Sequence, residues 1–546
     1  MSNDENGWEV FDRVADVVVV GSGASGFAAA IAAASRGASV LVLEQAGYVG
    51  GTTIKSGGVF WVPNNPLMSE RGLEDHREDA IKYMCRLAYP QLYSESDSTL
   101  GLPTDRFEAI CSFYDNGAAA VQALIDEKAI DPEIFPHHDY HADLPEDRAT
   151  YGRSLAPKGA FDNTDGKTGG DLLIEGMQRA AEQHGARVLL GHRVTDVLRN
   201  ADNEVVGIEA HVRSTAVFIG AKKGVIFASG GFVHDKDLAR EFLRGPTFGG
   251  CADDGSVGDF VRIGMSLPAK FGNMANAWWD QVIVEWAVAL PSTIRDVFLP
   301  FGDSMIQVNR YGRRVVNEKM VYNERAQIHH HYDPTKREFA NLILFQIYDH
   351  AVASNPNPWQ WRLPVPMPDE SVNYVISGQT LDELATNVST RLRELAGPLR
   401  DFALDDDFLE NLRDSIARFN RYARTGVDLD FHRGETPIQV AWHGPAREND
   451  MLNPTMYPIA DEGPYYCVML GPGCLDTKGG PVTDTQGQVV AVDDSRITGL
   501  FGAGNCVASP AGQAYWSAGG TLGPALVQGY VAGQSAVQQA VHAAPS

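Results

Sequence analysis

The stretch that decides the fold is Asp16-Val17-Val18-Val19-Val20-Gly21-Ser22-Gly23-Ala24-Ser25-Gly26. The run of valines reads as a strand buried on both faces. Gly21, Gly23 and Gly26 follow at G-x-G-x-x-G spacing, with Ala24 and Ser25 between them. Residues 27–36 are Ala-rich and read as a helix ended by Gly37, and 38–44 read as a second strand. Gly21 permits the tight turn, Gly23 lets a pyrophosphate approach the backbone, and Gly26 permits close helix–strand packing. The helix N-terminus favours the phosphate charge. Glu44 ends the second strand, where an acid accepts hydrogen bonds from ribose hydroxyls. Strand, loop, helix, strand and acid in that order specify a dinucleotide site far better than the glycines alone.

Two further blocks share this style. Residues 187–227 are strand-rich, with apolar stretches at 194–197 and 205–212, and lead into Gly224-Val-Ile-Phe-Ala-Ser-Gly-Gly231. Residues 497–532 contain Gly499-Leu-Phe-Gly-Ala-Gly504, and a helix over 521–536 closes the chain. Between them, 276–460 are richer in Trp, Pro, His and acidic side chains. The expected fold is α/β: a Rossmann-like dinucleotide-binding domain from 1–275 and 461–546, with an inserted α+β catalytic (capping) domain over 276–460. Asp405-Asp-Asp407 is expected to be a solvated helix start. His329-His-His331 could ligate a metal, but no Cys or carboxylate at ligand spacing supports one, so no metal site is expected.

The 546 residues exceed what one core usually carries, and 44% apolar with 21% charged residues is ordinary for a globular protein. A net charge of −25 argues against nucleic acid or anionic lipid as partner. The six cysteines are scattered, with no C-x-x-C, which removes support for a zinc site, a dithiol site or c-type haem attachment. Residues 1–12 are polar and acidic, unlike a signal peptide, and the longest apolar run, 27–34, is too short to span a bilayer. The expectation is a cytoplasmic protein without a transmembrane segment.

The segment after Glu44 narrows the cofactor. Gly50-Gly51-Thr52-Thr53 is followed by Ser56-Gly57-Gly58. A Gly-Gly pair with hydroxyls just beyond the acid resembles the flavoprotein superfamily that includes fumarate reductase flavoprotein subunits, where this segment follows the cofactor toward the isoalloxazine. Gly499-Leu-Phe-Gly-Ala-Gly504-Asn505 resembles the superfamily's second FAD signature. The resemblance implies FAD, and the expected cofactor-binding set is completed by Val194, Ser229, Gly230, Gly504, Asn505, Gly520 and Leu522. Covalent attachment in this superfamily commonly uses a histidine near the Gly-Gly-Thr segment; residues 47–63 contain none, so non-covalent FAD is expected.

The inserted region points to a branch. Asn309-Arg-Tyr-Gly-Arg-Arg-Val-Val-Asn-Glu318 resembles the V-N-x-x-G-x-R-F-x-N-E segment. In fumarate reductases an arginine four residues after that glutamate delivers the proton; here the position is Tyr322. Their histidine pair before Thr-x-Gly-Gly is replaced by Leu475-Asp476 before Thr477-Lys-Gly-Gly480, and their late Asn-Arg-Leu-Gly-Gly by Tyr515-Trp-Ser-Ala-Gly-Gly520. A dianion held without cations would be badly desolvated, which argues against a fumarate-like substrate.

The same positions resemble 3-ketosteroid Δ1-dehydrogenases. Tyr515 and Gly519 match that family's Tyr-x-x-x-Gly, followed by Thr521-Leu-Gly-Pro524. Tyr322 matches its tyrosine after the N-E segment, and Tyr140 in Asp139-Tyr-His-Ala142 is the best counterpart of one on an N-terminal loop. Pro464-Tyr-Tyr466 fits its late segment. The likeness covers most of the chain and is weakest over 335–430. Val315-Val316, Trp516-Ser517-Ala518 and residues 327–331 depart from the family and bear on the substrate more than on the chemistry.

This resemblance implies an FAD-dependent dehydrogenase that introduces a C=C bond next to a ketone, with 3-ketosteroid 1,2-desaturation as the first reading. Tyr322 would take the α-proton, Tyr140 would lower its effective pKa through a hydrogen bond, Tyr515 and the Gly519 N–H would hold the enolate oxygen, and flavin N5 would receive the hydride. The implied partners are a small apolar, steroid-like ketone and an external electron acceptor. The alternatives are a flavin ene-reductase working in the opposite direction, a 3-ketosteroid Δ4-dehydrogenase and a non-enzymatic flavoprotein.

Overall fold

Val17, Val18 and Val19 are completely buried in strand β1 (Arg13–Val20) of the computed structural model, which describes residues 6–149, 151–162, 166–289, 297–358, 362–399, 402–443 and 451–544. β1 lies between β2 (Val40–Glu44) and the strand Thr215–Phe227, parallel to both. Flanked in this way and covered on both faces, it has no wet side, so its sequence is continuous rather than alternating. The sheet runs Gln488–Val490, Arg496–Gly502, Thr215–Phe227, β1, β2, Arg187–Leu190, and the strands Arg193–Arg199 and Val205–Val212 extend it as an antiparallel meander from Thr215–Phe227.

Helix α1 (Ala24–Ala34) is buried along its whole length. Small alanines let it pack on every side, and that costs little side-chain entropy. It starts at Ala24, three residues before the Ala-rich run, because Gly23 is its N-cap. The closing helix spans Leu522–Gln538. Helix Phe408–Thr425 follows the acidic run, with Asp407 as its N-cap.

The chain divides into two compact units: Met1–Leu243 with Ala252–Ala277 and Asp476–Ser546, and Arg244–Cys251 with Trp278–Leu475. The second unit is built on an antiparallel sheet in which Leu344–Asp349 pairs with Met305–Val308 on one side and with Tyr465–Leu470 on the other. Its alternation is clean. Ile306, Val308, Phe345, Ile347, Cys467 and Met469 face a core shared with helices Leu381–Glu394 and Phe408–Thr425, while Met305, Tyr348, Val468 and Leu470 face a second core. This register corrects the expected boundary. Residues 461–475 were assigned with the chain ends, but Leu344↔Leu470 through Asp349↔Tyr465 pair residue by residue, so the second unit extends to Leu475. No change of composition marks that point.

No described helix is long and apolar enough to cross a membrane, no described group of His, Cys, Asp and Glu could hold a metal ion, and no disulfide forms among the described residues. His329 is completely buried; its Nδ1 donates to the Asn341 carbonyl at 2.7 Å and its Nε2 accepts from the Gln281 amide at 3.1 Å. Burial pushes its pKa down to about 3. Below the ordinary value of ~6.5 the unfolded chain takes up a proton that the folded chain refuses, so this contribution to stability is lost as pH falls. His329→Asn should cost about 1–3 kcal/mol at pH 7.5. In denaturant titrations the gap to wild type should narrow by up to ~1.4 kcal/mol per pH unit below pH ~6.5; a gap independent of pH would contradict a neutral buried His329.

Candidate functional site

The glycines after β1 have different duties. A Cβ on Gly21, whose φ is +105°, would lie 2.3 Å from the Ala228 carbonyl oxygen, and one on Gly26 would lie 2.0 Å from the Gly21 carbonyl oxygen. Both are demanded by the chain itself. A Cβ on Gly23 would meet nothing closer than Thr53 Oγ1 at 3.5 Å and the Gly50 carbonyl at 3.7 Å. The space beside Gly23 is therefore open, at the start of a helix whose N-cap, Gly23 itself, has no side chain to meet the first-turn N–H groups. A glycine-capped helix start with open space before it suits a pyrophosphate.

Ser22, which the sequence reading passed over, ties the cradle together. Its hydroxyl donates to Glu44 Oε2 at 2.6 Å and accepts the Gly50 N–H at 3.0 Å, and its N–H donates to the same carboxylate oxygen at 3.1 Å. Glu44 Oε1 accepts the Ala46 N–H at 2.9 Å. Thr53 Oγ1 accepts the Ala24 N–H at 3.1 Å, and Thr52 Oγ1 accepts the Asp253 N–H at 3.0 Å. Ser56 Oγ accepts the Gly58 N–H at 3.1 Å, while Gly57 faces the Phe161 ring. Gly51 opens the short helix that carries both threonines.

The later glycine turns belong to the same unit. A Cβ on Gly504 would lie 2.7 Å from Ser25 Oγ, so this turn abuts the first turn of α1. Asn505 Nδ2 donates to Asp476 Oδ2 at 3.3 Å, and that buried carboxylate also accepts the Gly231 N–H at 2.9 Å and the Ser256 hydroxyl at 3.1 Å. Burial raises the Asp476 carboxyl. Its position had been read only as a missing histidine; it gathers three turns. Ser229 Oγ, beside Gly230, is buried with no hydrogen-bond partner among the described residues. Val194 points its side chain into the core with Leu41 and Leu43, so only its backbone is available to a ligand. The Gly520 N–H donates to the Ser517 carbonyl, and Leu522 begins the uncapped closing helix. Open space at Gly23, a glycine at the helix N-cap and an orphaned Ser229 hydroxyl fit FAD.

Tyr140 and Tyr515 are both buried in the first unit, with ring centroids 5.6 Å apart and planes at 26°. Gly519 has φ +86°, and a Cβ there would lie 2.5 Å from Phe60 Cα. Its carbonyl accepts the N–H groups of Trp61 at 3.0 Å and Gly523 at 2.9 Å, whereas its own N–H meets no acceptor among the described residues. Trp516, a departure from the family pattern, is fully buried, and its ring lies 5.3 Å from that of Trp61.

Tyr322 belongs to the second unit, as the first residue of the short helix Tyr322–Ala326. Its ring lies parallel to Trp442 at 6.3 Å and edge-on to Phe298 at 5.0 Å. Arg325, in the same helix, is completely buried and donates to Gln281 Oε1 at 2.8 Å and to the carbonyls of Met320 at 2.8 Å and Val297. Burial lowers its pKa to about 10. Glu318 of the N-E segment is structural: it accepts Arg314 Nε and Nη2, each at 2.8 Å, Arg433 at 3.2 Å and the Gln307 N–H at 3.0 Å. Burial opposes its ionisation, but the two guanidinium groups prevail and lower the carboxyl.

The family described as FAD binding domain matches residues 16–522. The chain is 31% identical to the 3-oxosteroid 1-dehydrogenase of Mycolicibacterium smegmatis over 95% of this chain and 96% of that protein. The chain belongs to the FAD-dependent 3-ketosteroid Δ1-dehydrogenase family. It is also 30% identical to the 4-oxocyclohexanecarboxylate 2-dehydrogenase of Sinomonas cyclohexanicum, over 96% of this chain and 93% of that protein. The crystal structure of 3-ketosteroid delta1-dehydrogenase from Sterolibacterium denitrificans in complex with 1,4-androstadiene-3,17-dione shares the fold, with TM-score 0.80 and 24% identity over 96% of this chain and 99% of that one. The family member described here is an FAD-dependent oxidoreductase acting on CH–CH donors.

With no histidine in 47–63, the flavin should leave the polypeptide on acid precipitation; flavin retained in the pellet would show covalent attachment. Gly23→Val should fold, since the protein leaves room for a side chain there, and yet fail to hold FAD because that room is the phosphates'. A yellow, fully loaded Gly23→Val protein would place the pyrophosphate elsewhere.

Proposed function

We propose that this enzyme desaturates the 1,2 bond of a 3-ketosteroid. The observation that carries the reading is the buried Tyr140–Tyr515 stack beside a Gly519 turn whose N–H points to no acceptor among the described residues. Such a group suits an oxygen that gains charge. The Tyr515 hydroxyl and the Gly519 N–H hold the enolate oxygen, and one donor of this kind is worth about 3 kcal/mol. Tyr322 removes the α-proton. A phenol ordinarily titrates near ~10, so this base needs its effective pKa lowered, the role given to Tyr140. Bound FAD supplies the acceptor for the hydride from the β-carbon, and an external acceptor reoxidises it. The reading includes a cytoplasmic enzyme, consistent with its scattered cysteines.

A dicarboxylate substrate is disfavoured: the position of the reductases' histidine is Asp476, already engaged by Gly231, Ser256 and Asn505. A second reading, a 4-oxocyclohexanecarboxylate as substrate, draws on the 30% identity to the Sinomonas cyclohexanicum enzyme. It requires a cation for one carboxylate, and Tyr515–Gly520 offers none. Anaerobic bleaching of the flavin absorbance over a panel of 3-ketosteroids and small cyclic ketones separates the two. No bleaching by any ketone, with oxidation of reduced flavin by an enone instead, would reverse the direction.

Tyr322→Phe and Tyr515→Phe should both keep FAD and fold. Tyr322→Phe should abolish exchange of the substrate α-proton with heavy water together with flavin reduction. Tyr515→Phe should retain a base but slow reduction by about 10²–10³. Near wild-type bleaching by both variants would remove these tyrosines from the reaction.

A further inference from the structure

One ionic cluster in the first unit has no role in the chemistry above, yet is linked to the segments that carry Tyr140, Tyr515 and Gly519. Arg153 is completely buried and donates from Nη2 and Nε to the two carboxylate oxygens of Asp75 at 2.7 and 2.9 Å. Its Nη1 donates to Asp139 at 2.9 Å and to Asp147 at 2.7 Å. The guanidinium lies over the rings of Trp61 and Tyr83 at 5.7 and 5.4 Å. Three carboxylates thus share one cation where no side chain is more than 1% exposed. Buried charge of this kind adds little net stability and is costly when one partner is removed.

Asp139 differs from the other two carboxylates in what else it holds. It directly precedes Tyr140. Its Oδ1 accepts the Trp61 indole N–H at 2.9 Å. Trp61 in turn fixes the Gly519 turn through its backbone N–H, and its ring packs on Trp516. Ser517 lies two residues after Tyr515, and the carbonyl of the adjacent Ala518 accepts from Ser154 at 2.8 Å. One carboxylate therefore connects the Tyr140 loop, the Tyr515 segment and the Gly519 turn.

Asp147 contacts the same guanidinium and none of these segments. Its Oδ2 has no partner among the described residues, and burial beside Asp139 pushes its carboxyl up to about 7. A neutral amide at 147 therefore resembles a state that the wild-type cluster already visits near neutral pH.

We propose that Asp139, anchored by Arg153, is a positioning residue that holds the Tyr140–Tyr515 stack and the Gly519 N–H in register for the enolate oxygen. The inference rests on the dehydrogenase reading. The test uses the holoenzyme and whichever of androst-4-ene-3,17-dione or 4-oxocyclohexanecarboxylate bleaches the wild-type flavin. For Asp139→Asn and Asp147→Asn, bound FAD per chain, thermal midpoint and the anaerobic rate of flavin reduction are measured together. Both variants should keep FAD and lose comparable stability. Asp139→Asn should slow reduction roughly 10–100-fold, the scale of a misplaced reacting group, with Asp147→Asn within about threefold of wild type. On a Tyr140→Phe background the Asp139→Asn effect should shrink, because both act on one element; a purely structural loss would be additive. If Asp139→Asn does not fold, Trp61→Phe, which removes the indole N–H that Asp139 accepts, should slow reduction about 3- to 10-fold. Equal rates for the two Asn variants, or an unchanged rate for Trp61→Phe, would overturn the inference. A wild-type enzyme bleached by no ketone would instead sink the dehydrogenase reading and this inference with it.

Discussion

The constraint on which the cofactor cradle depends is main chain against main chain. Gly26 in the first turn of α1 packs so tightly on the Gly21 carbonyl that no side-chain carbon fits between them. That contact fixes where α1 begins and where β1 ends. With both fixed, the Ser22 hydroxyl reaches the Glu44 carboxylate and the Gly50 N–H together, so that the tip of β1, the tip of β2 and the Gly-Gly segment become one rigid edge. Preorganised donors and acceptors bind a polar ligand without the cost of ordering flexible groups. The cradle is therefore shaped by the fold and does not wait for the cofactor to shape it.

Each unit also carries a set of buried ions, arranged differently. In the second unit Arg314 and Arg433 face Glu318 and Asp428, so charges of both signs are matched, and the carboxylates stay ionised. In the first, one guanidinium serves three carboxylates, and burial raises the Asp139 and Asp147 carboxyls. Matched ions lock a segment over a wide range of pH; the unmatched set instead ties together chain segments far apart in sequence.

How far this could be read in advance depended on range. The valine run, the glycine spacing and Glu44 lie within thirty residues, and each local preference agrees with the fold, so the βαβ unit and its FAD were legible. The roles given to the tyrosines come from family resemblance alone, as residue types at familiar places; local sequence pattern does not assign them. Ser22 was in plain view but inconspicuous, because a serine within a glycine motif reads as filler. Asp476, Arg325 and the Arg153 cluster were illegible for a physical reason. Asp75, Asp139 and Asp147 lie 78, 14 and 6 residues from Arg153, and no local pattern announces which buried carboxylate will find which guanidinium. The boundary at Leu475 was hidden in the same way: strand partners 116 to 126 residues apart, from Asp349↔Tyr465 to Leu344↔Leu470, decide it, whereas composition does not.

The order of strands in the first sheet has a consequence for synthesis. Val225 to Phe227 receive their second parallel neighbour only when Leu500 to Gly502 arrive, 275 residues later. At translation rates of ~5–20 residues per second, that edge stays open for roughly 14–55 s on a nascent chain. An unpaired strand of Val, Ile and Phe is a template for another chain. The whole second unit is made during that interval, so its own folding must proceed beside a half-finished sheet. The interleaving that gathers the FAD turns from both ends of the chain therefore leaves a strand edge open to misassembly on the ribosome, before the cofactor site exists.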